Sequence, residues 1–144
     1  MIEQDTISLL RECDAGVKMG VSSISDVIDN VENPKLKEIL TRSKAAHEHI
    51  GQEIISALER FHDNGKQPNP MAKAMSTVKT NMEMMVKPTD ATIASLMTDG
   101  CNMGVKSLSK YLNEYKAADE SAKDVCKKLI ALEEQLAKDL RGYL

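Results

Sequence analysis

One stretch of this chain is written twice. Gly16-Val17-Lys18-Met19-Gly20-Val21-Ser22-Ser23-Ile24-Ser25 and Gly100-Cys101-Asn102-Met103-Gly104-Val105-Lys106-Ser107-Leu108-Ser109 agree at both glycines, the methionine, the valine and two serines. Downstream, His47-Glu48-His49-Ile50-Gly51-Gln52-Glu53-Ile54 aligns with Glu133-Glu134-Gln135-Leu136-Ala137-Lys138-Asp139-Leu140 if the second copy's turn is about two residues longer. A repeat of this length is a supersecondary unit that cannot bury its apolar surface alone, so the copies must pack on each other.

The unit itself is a pair of helices. Leu10, Val17, Val21, Ile24, Ile28 and Val31 recur at steps of three, four and seven, the spacing of one helix face, and predict a helix over 6–31 with Asp5 or Thr6 as its cap. Glu32-Asn33-Pro34 interrupts it: the residue before a proline leaves the helical region, while Asn33 as cap and Pro34 in the first helical position open a new helix. So short a connection makes an antiparallel hairpin. Leu36, Ile39, Leu40, Ser43, Ala46, His47, Ile50, Ile54, Leu58 and Phe61 form the second inner face, and Asn64-Gly65 is its stop signal. After Pro88, Thr89 or Asp90 starts a third helix to about Tyr115, with Ile93, Met97, Gly100, Gly104, Leu108, Tyr111 and Tyr115 in register. Lys116 to Glu120 make the next turn, and Val125, Leu129, Leu132, Leu136, Leu140 and Tyr143 mark the last helix. No segment alternates with period two, so no sheet is expected.

Two hairpins packed together give an all-α fold, a four-helix bundle in one domain over 1–144, with hairpin units at about 6–63 and 89–144. The crossover between them, about 65–88, carries Met71, Met75, Val78, Met82 and Met85 at helical spacing. It is long enough to travel the length of a bundle and to hold an extra short helix, the one-crossover arrangement of ferritin-like folds. Gly16, Gly20, Gly100 and Gly104 fall in helix interiors, where each costs about 1 kcal/mol against Ala. Their recurrence predicts close helix contacts at equivalent places.

The residues Asp14-Ala15-Gly16 through Gly20-Val21, Asn33-Pro34-Lys35-Leu36-Lys37 opening the second helix, and the turn Asn64-Gly65-Lys66-Gln67-Pro68 carry a family resemblance. On them the chain resembles the bacterial ferritin-like family catalogued as domain of unknown function 2383, strongest over 9–61 and similar in layout through the second half. The resemblance implies the ferritin-like bundle. The family's name supplies no activity.

Ferritin-like di-iron centres use a Glu from each of two helices and a Glu-x-x-His pair from each of the other two. The single pair at that spacing here, Glu59 and His62, lies at a helix end beside Asn64-Gly65, where a histidine suits the negative end of the dipole. Three polar residues do fall on inward stripes: Asp14 between Leu10 and Val17, His47 between Ser43 and Ile50, and Glu133 between Leu129 and Leu136, with Asp99 at the margin of the third. One Asp, one His and one Glu from three helices can bind a divalent ion such as Fe, Mn or Zn. The competing expectation is that they are buried polar groups paired with one another, with no cofactor bound.

Composition excludes other classes. A net charge of −3 gives no footprint for nucleic acid or an anionic membrane surface, and no apolar run approaches a membrane span. Cys13, Cys101 and Cys126 lack C-x-x-C spacing and read as small buried hydrophobes of a reducing cytoplasm; the polar, acidic start is no signal peptide. Neither a glycine-rich phosphate loop nor a nucleophile elbow occurs. The methionines of 71–85 suit either core or an adaptable groove. These features predict a cytoplasmic, non-catalytic helical protein that associates with itself or a protein partner, with a degenerate metal-binding or redox site in the bundle core as the alternative.

Overall fold

A computed structural model describes residues 2–65 and 88–144, so the expected crossover helix lies outside the described residues. Four long helices account for most of what is described: α1 (Ile2–Val27), α2 (Pro34–Glu59), α3 (Asp90–Glu114) and α4 (Glu120–Leu140), and no strand occurs among the described residues. α1 packs on α2 and α3 on α4; α1 also meets α3 and α2 meets α4, closing a ring of four, with α1 and α4 touching across it. This is an all-α helical bundle.

Each helix begins where side-chain chemistry allows. Asn33 Oδ1 accepts the backbone N–H groups of Lys35 (2.8 Å) and Leu36 (3.3 Å), with Pro34 next in line. Thr89 Oγ1 accepts Thr92 N–H, and Asp119 Oδ1 accepts Ala122 N–H. Such caps satisfy N–H groups that have no partner inside the helix, each contributing about 1 kcal/mol.

α1 departs from expectation by starting at Ile2, so Asp5 and Thr6 lie inside its first turns rather than capping it. Their side chains serve the far turn instead. Asp5 Oδ2 accepts Ala117 N–H at 3.0 Å and Thr6 Oγ1 accepts Asp119 N–H at 2.9 Å. At the other end Asp90 accepts Glu32 N–H and Asn33 N–H, both at 2.9 Å. The turn of each hairpin is thus latched by the first helix of the other.

α2 ends at Glu59, earlier than Asn64-Gly65 had suggested. Asp63 N–H bonds back to Leu58 O and His62 N–H to Glu59 O, a Schellman closure that requires a left-handed residue; His62, at φ 55°, takes that place. Gly65 takes the second positive φ, 85°, five residues beyond the last cap.

The core divides into two apolar clusters. One gathers Leu10, Val17, Ile54, Leu108 and Leu129; the other gathers Ile24, Leu36, Leu40, Ile93 and Leu136. Along α2 and α4, His47 and Glu133 fall between them. The bundle therefore has a polar waist.

A buried acid–imidazole pair beside a cavity

His47 and Glu133 meet at that waist. The heptad-like stripe of α2 (Leu40, His47, Ile54) and that of α4 (Leu129, Glu133, Leu136) turn both residues inward, leaving His47 0% and Glu133 9% exposed. His47 Nδ1 lies 2.7 Å from the carbonyl oxygen of Ser43, one turn back on α2. A carbonyl only accepts, so Nδ1 carries a proton. Nε2 faces Glu133 Oε1 in a short hydrogen bond. With Nδ1 protonated, a single proton lies between Nε2 and the carboxyl, and the pair is either imidazolium–carboxylate or neutral imidazole with carboxylic acid.

The electrostatics favour the imidazolium. Burial alone would push the His47 pKa down, but the hydrogen bond and charge of Glu133, together with the Ser43 carbonyl, outweigh it and raise the value. Cys101 completes the group: burial, the charge of Glu133 and a hydrogen bond to it push that thiol far up, so it stays protonated and donates. No buried side-chain nitrogen or oxygen among the described residues lacks a partner.

Glycines make the room. A Cβ on Gly20 would sit 2.6 Å from His47 Cδ2, so α1 must present glycine where the imidazole lies against it. A Cβ on Gly104 would sit 3.4 Å from Glu133 Oε2, a tight but less severe approach. The expectation of close contact fails at the other two. A Cβ on Gly16 would meet Leu129 at an ordinary 3.5 Å, and one on Gly100 would meet nothing within 4 Å. Packing explains two of these glycines and leaves two unexplained, although each costs its helix about 1 kcal/mol against Ala.

The space left beside them is a cavity of about 160 Å³ between α1 and α3, with the pair in its floor. Ile24, Met97, Leu108, Leu129 and Leu136 give it apolar walls, and Ser23 is buried at its edge. It reaches the surface beside Asp99, Gly100 and the 44%-exposed Met103. None of the described residues that line it is Lys or Arg.

Of the three residues proposed as ligands, the structure brings two together. Asp14 is buried on α1, but its carboxylate bonds Lys18 Nζ at 2.8 Å and lies against Gly65 in the segment after α2. Gly20, which the His47 ring touches, is six residues further along α1, about 9 Å of helix axis away. Among the described residues no three His, Cys, Asp or Glu side chains are grouped to hold a metal ion. The donor set does not fit a three-ligand centre. His62 is exposed at the end of α2 and is no partner for such a site.

Cys101 went unread as a site residue, although it stands one turn before Gly104 on the stripe that faces Glu133. Cys13 and Cys126 form a buried thiol pair, joining α1 to α4 inside the first apolar cluster. Their mutual hydrogen bond and burial push the Cys13 thiol well up. All three cysteines are free and buried, as their helical positions suggest.

Compared with protein-family models, with curated proteins and with solved structures, the chain matches none.

Proposed function

We propose that this chain is a non-catalytic helical bundle of the ferritin-like kind, related to domain of unknown function 2383, which works by association with itself or with a protein partner. The observation that carries the reading is the closure of the core's acid–imidazole pair. Nδ1 is held by Ser43, Nε2 by Glu133, and Glu133 also takes the Cys101 thiol, so the ring presents no free nitrogen for proton transfer or metal ligation. The pair braces four helices. Two kinds of contact support its construction from two repeated hairpins: Asn33 N–H meets Asp90 as Asp119 N–H meets Thr6, and Gly20 meets His47 as Gly104 meets Glu133. These residues correspond under the alignment that pairs Gly16 with Gly100 and His47 with Glu133. No described helix is long and apolar enough to cross a membrane, in keeping with a protein that acts in the cytoplasm.

Sedimentation velocity over a hundredfold range of concentration tests association, together with affinity capture on the tagged protein. A concentration-dependent dimer or higher species, or one partner held in fixed stoichiometry, is the expected result. A strict monomer that retains nothing overturns the reading.

A second reading, a metal-binding or redox bundle, draws on His47 and Glu133 standing side by side on different helices. Elemental analysis of untagged protein decides it. Stoichiometric Fe, Mn or Zn that is lost in His47→Gln, with an unchanged apo-protein melting temperature, would establish the metal role and displace the first reading.

A further inference from the structure

The waist cavity combines an apolar wall with a buried ion pair. Ile24, Met97, Leu108, Leu129 and Leu136 reach it from α1, α3 and α4, and all five are buried. In its floor the polar atoms of His47 and Glu133 are already engaged: Nδ1 by the Ser43 carbonyl, Nε2 by Glu133, and the carboxylate also by the Cys101 thiol. Whichever of the two residues holds the shared proton, the pair carries no net charge. Asp99 is exposed on the opposite face of α3 from Cys101 and Gly104, so its charge stays in solvent.

The chain keeps this space open at a cost. Protein interiors pack to the density of organic crystals, and the lining of a void forfeits the contacts it would otherwise make. At Gly20 and Gly104 glycine is needed to admit His47 and Glu133. At Gly16 and Gly100 it is not: a Cβ on Gly16 would make ordinary contact with Leu129 and Leu108, 3.5 and 3.7 Å away, and one on Gly100 would meet nothing within 4 Å. Both residues line the cavity, and alanine at either would favour its helix and take up part of the space. The volume, about 160 Å³, is close to that of an engineered apolar cavity that stays dry and binds benzene or xenon.

We infer that the cavity is a binding site for a small uncharged apolar molecule, about the size of toluene, held among Ile24, Met97 and Leu136 by dispersion and by its release from water. Such binding needs no self-association of the bundle. Charge decides against isosteres of the same shape. An ammonium or a carboxylate carried into the cavity gives up its hydration and finds no unmatched opposite charge, because the charges in the floor are matched to each other.

Toluene, benzylamine and benzoate are probes of one shape and three charges. Titrated into the intact protein at pH 7 and followed by amide chemical shifts, toluene is expected to saturate and to move the Gly16, Gly20, Gly100 and Gly104 resonances. Benzylamine and benzoate should each bind at least tenfold more weakly. Gly100→Leu places a side chain at the mouth without a clash at its Cβ, and Gly16→Ala adds one methyl against Leu129. Toluene should weaken at least tenfold in the first variant and at least threefold in the second, while the melting temperature of both holds or rises. Benzylamine or benzoate binding as tightly as toluene overturns the assignment to an uncharged ligand. Absence of saturable shifts with toluene, or undiminished toluene binding in either folded variant, overturns the site.

Discussion

The imidazole of His47 occupies the space that a side chain at position 20 would need, with its Cδ2 only 2.6 Å from where a Cβ on Gly20 would stand. His47 cannot retreat, because Ser43 and Glu133 hold its two nitrogens from opposite sides. Gly20→Ala should therefore destabilise the protein by about 1–3 kcal/mol, the usual result of overpacking a core. Gly16→Ala, one turn away with ordinary contacts at 3.5 and 3.7 Å, should instead be neutral or stabilising by up to about 1 kcal/mol. Urea denaturation of the two variants against the native chain measures the difference, and equal effects would contradict this account of the α1 glycines.

The raised pKa of His47 makes stability depend on pH. Its folded value lies above the unfolded value of about 6.5, so the stabilisation is complete below about pH 6.5 and is lost as pH climbs through the folded value. One proton sets the greatest slope, about 1.4 kcal/mol per pH unit. His47→Gln should lower stability at pH 6 and flatten the profile on the alkaline side. A native profile level from pH 6 to 9 would argue that folding does not raise the pair's affinity for its shared proton.

Gly65 combines a φ of +85° with the carboxylate of Asp14, whose Oδ2 is 2.3 Å from where a Cβ would stand. Gly65→Ala should cost about 1–3 kcal/mol. Asp14→Asn keeps the shape but removes the charge that meets Lys18, and a smaller loss is expected. Thermal unfolding of both ranks them; a harmless Gly65→Ala would mean that Asp14 moves aside freely.

His62 accepts a left-handed backbone to close α2. His62→Gly relieves that conformation on an exposed side chain and should stabilise by up to about 1 kcal/mol. The melting temperature reads this directly, and a fall would show that the imidazole contributes more than its backbone costs.

Helix faces were legible in the sequence because burial repeats every 3.6 residues. Asp14, His47 and Glu133 were expected on inward stripes, and all three are buried. Periodicity fixes a side chain's direction but not its height in the assembled bundle, and height separates Asp14 from the other two. The alignment that set His47 over Glu133 was the better guide to the pair. The cap at Asn33 was readable because Asn-Pro is a local signal. The roles of Asp5, Thr6 and Asp90 were not, because their partners lie 57 to 113 residues away. Glycine was ambiguous for a related reason: Gly20 and Gly100 are the same letter, yet one is required by a neighbour and the other by none.

The crossed latches at the turns have a kinetic consequence. Contacts within each hairpin join neighbours in sequence and can form early, whereas Asn33 finds Asp90 and Asp119 finds Thr6 only after the hairpins have docked. Neither hairpin contains the group that fastens its own bend. Substitutions at Asp90 or Thr6 should therefore leave the folding rate nearly untouched and express themselves as faster unfolding, so that these two small side chains set how long the native state survives rather than how quickly it is found.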